Sequence, residues 1–519
     1  MEENYEKNIP SMLQSGGYIP PPVYTVPVGK KEWFLAAAVF CFSVLLTGSL
    51  LYHGAQLGFA AGAAGLLLSA YLYLHRCGRR TNGYGAALLL LSLVIAAAFP
   101  FSDDALLKFL ATCALLTMPG LAFALMTGKN RHDERRLTSI FDGLEALFVF
   151  GFGEMGSVGR GVREAFRNSG KAGKTGGAVA LGLLIAVPVV AMLVPLLMSA
   201  DAAFEGLLTL LPEFRWQKAL ATVLSGVFVG YVICSRTVAL HHLPRKATAG
   251  KQRKGLPALT VNTVLIAAAL VYAVYLVSQL AYFVGGFAGI LPEEYTLAEY
   301  ARRGFFEMGW LCAINLLLIA CAVALVSARG KMSGLTRLLC LFLGLVTLFL
   351  VATASAKMFL YIGSYGLTRL RVLTEVFMIW LGLTTVFVCI WLFAPGAGCV
   401  KQSVLLALSL CAALLWLDVD AQVARYNVRA YQTGRLETVD MNHLGGLSDS
   451  AVPYIAELAE NGDSETARQA VRILENKAKW FDTDDDLRGW NRVKCRAWEI
   501  LQDYRTEDTA EAAEAIPYI

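Results

Sequence analysis

The chain is 519 residues long, 56% hydrophobic and 16% charged, with a formal net charge of +5. A mean hydropathy of +0.54 and a charged fraction well under the roughly 25% of an ordinary soluble domain exclude a plain water-soluble protein. The composition is that of a polytopic membrane protein, and no nucleic-acid partner is expected.

Residues 1–31 form a leader with Gly16-Gly17 and Ile19-Pro20-Pro21-Pro22, a composition that favours disordered, solvated chain. Between residues 32 and 417, apolar runs of about 17–25 residues recur about eleven times. They are Trp33 to Leu51, Leu57 to Leu74, Tyr84 to Phe101, Leu106 to Met126, Gly177 to Met198, Ala219 to Leu240, Ala258 to Val284, Met308 to Val326, Leu338 to Met358, Leu373 to Phe393 and Ser403 to Leu417. The first lacks a small-residue cleavage site and reads as a retained span. The predicted fold is all-α: a polytopic transmembrane helical bundle with a small C-terminal helical soluble module.

Basic residues beside spans tend to stay cytoplasmic. With the N-terminus inside, the cytoplasmic loops carry Arg76, Arg79, Arg80, the Lys129 to Lys174 group, Arg236 to Lys254, Arg329, Lys331, Arg337 and Lys401. Few basic residues fall on the other side, so the leader is expected in the cytoplasm and residues 418–519 outside it. The loop 128–176 also holds Leu137, Ile140, Phe141, Leu144, Leu147 and Phe148 at helical spacing beside Arg135, Arg136, Arg160, Arg163 and Arg167. Two readings fit it: an in-plane helix on anionic lipid headgroups, or a loop that merely follows the charge rule.

Several motifs fail. Lys171-Ala172-Gly173-Lys174-Thr175 resembles the end of a phosphate loop, but Asn168 stands where the first glycine belongs. Gly151-Phe152-Gly153-Glu154-Met155-Gly156 follows no strand, and no zinc-protease motif occurs. The 11 cysteines lie mostly inside spans with no CxxC pair, so neither disulfides nor a metal are implied. The adjacent His241 and His242 point to different sides of a helix and make a poor metal pair. No catalytic, cofactor-binding or metal-binding residue is predicted.

The strongest lead is external. Glu299, Arg302, Arg303 and Glu307 run into an apolar span, and Glu299, Arg303, Glu307 and Asn315 share one helical face. Asp201 lies in another external loop, and Lys357, Arg369, Arg371 and Glu375 lie with Tyr361 and Tyr365 in a third. Glu375 would sit about 10 Å inside a helix starting near Thr368, at ~1.5 Å per residue. It needs a partner there, and Arg371 or Lys357 is expected to supply it. The cluster reads either as ion pairs that fix packing or as a polar site near the external membrane face.

In the tail, Ser448 or Ser450 is expected to cap a helix through Val452 and Leu458, Asp463 or Ser464 the next, and Asp484-Asp485-Asp486 to open a third. The runs Tyr300-Ala301-Arg302-Arg303-Gly304-Phe305-Phe306-Glu307, Leu367-Thr368-Arg369-Leu370-Arg371-Val372-Leu373-Thr374-Glu375, Ala424-Arg425-Tyr426-Asn427 and Leu447-Ser448-Asp449-Ser450-Ala451-Val452-Pro453 resemble the bacterial membrane proteins grouped as domains of unknown function 4153 and 4173. That resemblance covers the chain from about Leu106 onward and implies a bacterial inner or plasma membrane protein with a helical tail, with no activity attached. The expected function is a non-enzymatic envelope sensor or assembly protein, its tail meeting a protein partner. The alternative is a transporter or flippase.

Overall fold

The computed structural model describes residues 25–134, 137–168, 216–244, 255–287, 305–327, 332–481 and 486–505, with a few isolated positions between 182 and 197. It is all-helical, with no strand among the described residues. The membrane-spanning helices are α1 (Lys30–Tyr52), α2 (Leu57–Arg76), α3 (Gly83–Ala98, prolonged by a 3-10 turn Phe99–Phe101) and α4 (Ala105–Thr127). Two short helices, α5 (Ile140–Glu145) and α6 (Met155–Asn168), flank a π-helical turn Ala146–Gly153. Then come α7 (Trp216–His242), α8 (Ala258–Phe287), α9 (Phe305–Ser327), α10 (Gly334–Tyr365), α11 (Arg369–Phe393) and α12 (Cys399–Leu417).

Ten of these described helices are long and apolar enough to cross a membrane, and they match ten of the expected runs. The remaining run, Gly177 to Met198, lies largely outside the described residues. Helices α4 and α7 run in the same direction. Lys129, just past the end of α4, donates to the carbonyl of Leu243, just past the end of α7. At the other ends, Lys108 of α4 donates to Gln56, and the carbonyl of Lys218 in α7 accepts from Tyr52.

Small residues set the contact between α1 and α2. A Cβ on Gly62 of α2 would lie 2.8 Å from the Leu46 nitrogen of α1, and one on Gly65 only 2.2 Å from the Phe42 ring. Such close backbone approach lets packing replace the hydrophobic drive that is missing between helices in lipid. Asn82, Asp104, Ser333 and Thr368 cap α3, α4, α10 and α11 with side-chain oxygens. These caps satisfy amides that would otherwise be orphaned at each helix start.

The buried apolar residues form one core among α1–α4, α7 and α12, and two smaller cores among α8–α11. The larger core continues past Leu417 into α13 (Val419–Gln432), α14 (Met441–Gly445), α15 (Val452–Asn461), α16 (Ser464–Trp480) and α17 (Arg492–Leu501). Val423, Leu444, Ile455, Leu474 and Leu501 from these helices are fully buried. As expected, Asp463 caps α16, accepting from Glu465 and Thr466. Asn491 caps α17, while Asp486 caps only the 3-10 turn before it. Ser448 and Ser450 do not cap α15, which follows a 3-10 turn at Asp449–Ala451.

The segment Ile140–Gly153 packs against α4 and α7 while keeping Phe141, Phe148 and Phe152 exposed. Gly143 and Gly120 of α4 meet backbone to backbone, a Cβ on Gly120 falling 2.8 Å from the Gly143 carbonyl oxygen. The Phe150 carbonyl accepts from Ser235, seven residues before the end of α7, or about 10 Å along that helix at ~1.5 Å per residue. Asp142, buried on this segment, is satisfied by the His132 amide at 2.9 Å and the His132 ring at 2.8 Å. Helix α6 keeps Arg160, Arg163 and Arg167 exposed.

Candidate functional site

At the membrane face opposite Glu32, the starts of α4, α11 and α13 converge on one guanidinium. Arg369, in the first turn of α11, holds Asp420 in a two-pronged contact: Nε lies 2.8 Å from Oδ1 and Nη2 2.5 Å from Oδ2. Its Nε is also 3.3 Å from Asp104 Oδ2, an ion pair that is not aligned as a hydrogen bond. The Asp104 side chain is 1% exposed and that of Asp420 0%, so both charges depend on this cation. Asp104 spends its other oxygen on the Leu107 amide at 3.0 Å, and Asp420 Oδ2 also accepts from the Ser448 amide at 2.9 Å.

A second set of bonds lies beside the first. The Asn427 amide of α13 bonds both backbone groups of Leu367, accepting from its N–H at 2.7 Å and donating to its carbonyl at 2.8 Å. Gly366 makes this possible, because its φ of +74° suits glycine and an added Cβ would sit 2.6 Å from Asn427 Oδ1. Gln56 Oε1 accepts from Lys108 at 2.8 Å and from Asn491 at 2.6 Å, and Asn491 also donates to the Ser102 carbonyl. The C-terminal helices are thereby bonded to the ends of α2, α4 and α11.

The cluster carries more acid than base. Asp103, Asp104, Asp418 and Asp420 surround Arg369 and Lys108, with Lys494 and the Asp449–Lys477 pair, 3.6 Å apart, at its edge. Burial raises Asp420, but its bonds from Arg369 and Ser448 more than offset this and hold it below the usual carboxylate range. Burial pushes Asp103 upward, since Lys108 compensates only in part. Asp418 forms no ion pair among the described residues, although Lys108 lies within range of its charge. Burial pushes Asp418 up to about 6 although Ser450 donates to it at 2.5 Å, and the neighbouring Asp420 and Asp103 add to the rise. It is also the only described non-glycine residue with positive φ, +53°. No group of His, Cys, Asp and Glu among the described residues has the arrangement of a metal site.

Of the expected site residues that the structure describes, Arg369 alone enters the carboxylate cluster. Asp201, Glu299, Arg302 and Arg303 lie outside the described residues. Glu307 is exposed on the first turn of α9. Asn315 is buried between α9 and α10, donating to Thr347 at 3.1 Å. Glu375 is buried on α11 and accepts from Ser355 of α10 at 2.9 Å, with Lys357 two residues further along α10. The expected Glu375 pairing with Arg371 or Lys357 is not formed. Arg371 reaches back to the carbonyls of Tyr365 and Gly366 and lies 4.1 Å from the Tyr361 ring centroid. Helical side chains slant toward the N-terminus, which carries this guanidinium away from a carboxylate one turn later.

The residues not foreseen are Asp104, Asp418, Asp420, Lys108, Gln56 and Asn491. Their signal was faint but present: Asp103-Asp104 occupy a short connection between spans, and Asp418 and Asp420 adjoin Leu417. Three of the runs carrying the family resemblance also meet here, through Leu367 and Arg369, Asn427, and Ser448 and Ser450.

Replacing Arg369 with Ala leaves two buried carboxylates without a cation, a loss of about 3–5 kcal/mol. In detergent this variant is expected to melt earlier and to be cut by protease between Leu417 and Val452 while the spans stay intact. Arg369→Lys loses the two-pronged geometry and should recover only part of the stability. Asp418 gives a pH dependence of opposite sign to Asp420. Its folded pKa lies above its ordinary value of 3.8, so folding is favoured below about pH 4 and progressively penalised as the pH rises through about 6. Asp418→Asn removes the charge with a residue that tolerates positive φ. Its melting temperature should exceed the parent's by a few degrees at pH 7.5 and match it near pH 4, and equal melting at both would refute the assignment.

No curated protein and no solved structure matches the chain. A family's sequence model, described as a domain of unknown function (DUF4153), matches residues 33–458. The match takes in α1–α3, which carried no landmark of the resemblance, and ends in α15, before α16 and α17. With the spans, the Arg369–Asp420–Asp104 contact and the first C-terminal helices inside the match, the chain belongs to the family of domain of unknown function DUF4153.

Proposed function

We propose that this integral membrane protein is a non-enzymatic component of the bacterial cell envelope that holds its C-terminal helices outside the membrane as a docking element for a partner protein. The observation that carries this reading is the Arg369–Asp420–Asp104 contact, which fixes these helices to the span bundle instead of leaving them on a tether. The polar residues at this face are spent on packing, through Asn427, Asn491, Gln56 and Ser448. The outward side of the same helices keeps Trp480 66% exposed, together with exposed Arg468, Arg472, Arg492 and Arg496. Exposed tryptophan and arginine are the residue types enriched at binding hot spots. The excess of basic residues on the loops at the Glu32 face supports a cytoplasmic N-terminus.

Cys495 is exposed on α17 and reports the side. A membrane-impermeant maleimide should label it in intact cells and fail on Cys495→Ser; labelling only after lysis would overturn the orientation. A photoreactive residue at position 480 should give an adduct that disappears in the Arg369→Ala background. An adduct unchanged by that substitution would refute the docked presentation.

One observation favours a second reading, transport. Glu375 Oε1 and Asn315 Oδ1 are buried with no hydrogen-bond partner among the described residues, and an ionisable residue at such depth suits proton or cation uptake. Purified protein in vesicles should then move protons, and Glu375→Gln should abolish the movement without unfolding the bundle. A wild-type protein that moves none removes this reading.

A further inference from the structure

At the Glu32 face, α1 and α2 part. They touch at Gly62 and Gly65, but beyond Gly65 the contact opens into a cleft of about 350 Å³ lined mainly by apolar side chains including Phe34, Leu68 and Leu72. Leu68 and Leu72 are 45% and 47% exposed, so the cleft faces outward from the bundle. Gly65 lies at its closed end and Arg76 at its mouth. At ~1.5 Å per residue these are about 16 Å apart, close to half of a ~30 Å hydrocarbon core. The cleft thus has the length of one acyl chain in one leaflet.

The mouth is cationic. Lys31 Nζ donates to the Arg76 carbonyl at 3.1 Å, and the Arg76 guanidinium lies 5.6 Å from the Phe34 ring centroid. Both side chains are exposed, and neither has a carboxylate partner among the described residues. The adjacent acid, Glu32, does not line the cleft and is occupied, accepting from the Gly29 amide and the Tyr73 hydroxyl at 2.8 Å each and lying 3.3 Å from His242. Arg79, nearby on the same face, contacts His241 and adds to the positive field. Two unneutralised cations over an apolar slot match the charge and shape of an anionic phospholipid.

We propose that this cleft binds one acyl chain of an anionic phospholipid, with the headgroup phosphate between Lys31 and Arg76. The site holds on either side of the membrane and does not depend on the docking function proposed above.

The test uses the full chain in nanodiscs with phosphatidylglycerol carrying a photoactivatable group on its acyl chain. Adducts are expected on Phe34 to Phe42 and Leu68 to Leu72, competed by unlabelled phosphatidylglycerol and at least roughly tenfold less well by phosphatidylcholine of the same chain length. Lys31→Gln with Arg76→Gln should erase that preference. Ala38→Trp, which fills the slot, should remove these adducts while sparing labelling on other helices. Equal competition by phosphatidylcholine in the unmodified protein would overturn the proposal without any variant having to fold. So would undiminished labelling in the double variant.

Discussion

A buried carboxylate cannot keep its charge without compensation, and the face opposite Glu32 contains two, Asp104 and Asp420, leaning on one guanidinium. The three groups come from different parts of the chain: Asp104 from the connection before α4, Arg369 from the first turn of α11 and Asp420 from the first turn of α13. None of the three segments reaches a low-energy state until the other two arrive. The long-range order of the molecule is therefore coupled to a short-range electrostatic requirement, and the apolar continuity of Leu415, Val419 and Val423 completes the seal.

Asp418 opposes this arrangement from one residue beyond the last span. It is acidic, only partly exposed, without an ion-pair contact among the described residues, and held at positive φ. All of these cost free energy, and a neutral residue tolerant of positive φ would relieve the charge. Strain of this kind persists only where the surroundings over-determine it. Here the surroundings are the Ser450 bond and the fixed positions of Asp420 and Leu417 on either side.

The spans were legible because hydrocarbon imposes its demand locally: the run Leu338 to Met358, inside the helix Gly334–Tyr365, declares itself by length and apolarity alone. The cap Asp463 obeys an equally local rule. The charge network was not legible for the complementary reason. Asp104 and Asp420 look like ordinary boundary acids until the fold brings Arg369 to both, and spacing alone put Arg371 beside Glu375 where side-chain direction does not. For the segment Ile140–Gly153, likewise, the amphipathic pattern does not announce that Gly143 meets Gly120 backbone to backbone.

Helix lengths carry a last implication. Helix α12 has 19 residues and α10 has 32, or about 29 Å and about 48 Å at ~1.5 Å per residue, beside a hydrocarbon core of ~30 Å. The first fits a bilayer upright, whereas the second must tilt or project beyond it. The protein thus meets lipid as a stepped surface, and membrane thickness bears on how upright α10 stands. Because α10 ends at Tyr365, directly before the Leu367 backbone that Asn427 grips, the bilayer's thickness helps set the height at which the C-terminal helices are carried.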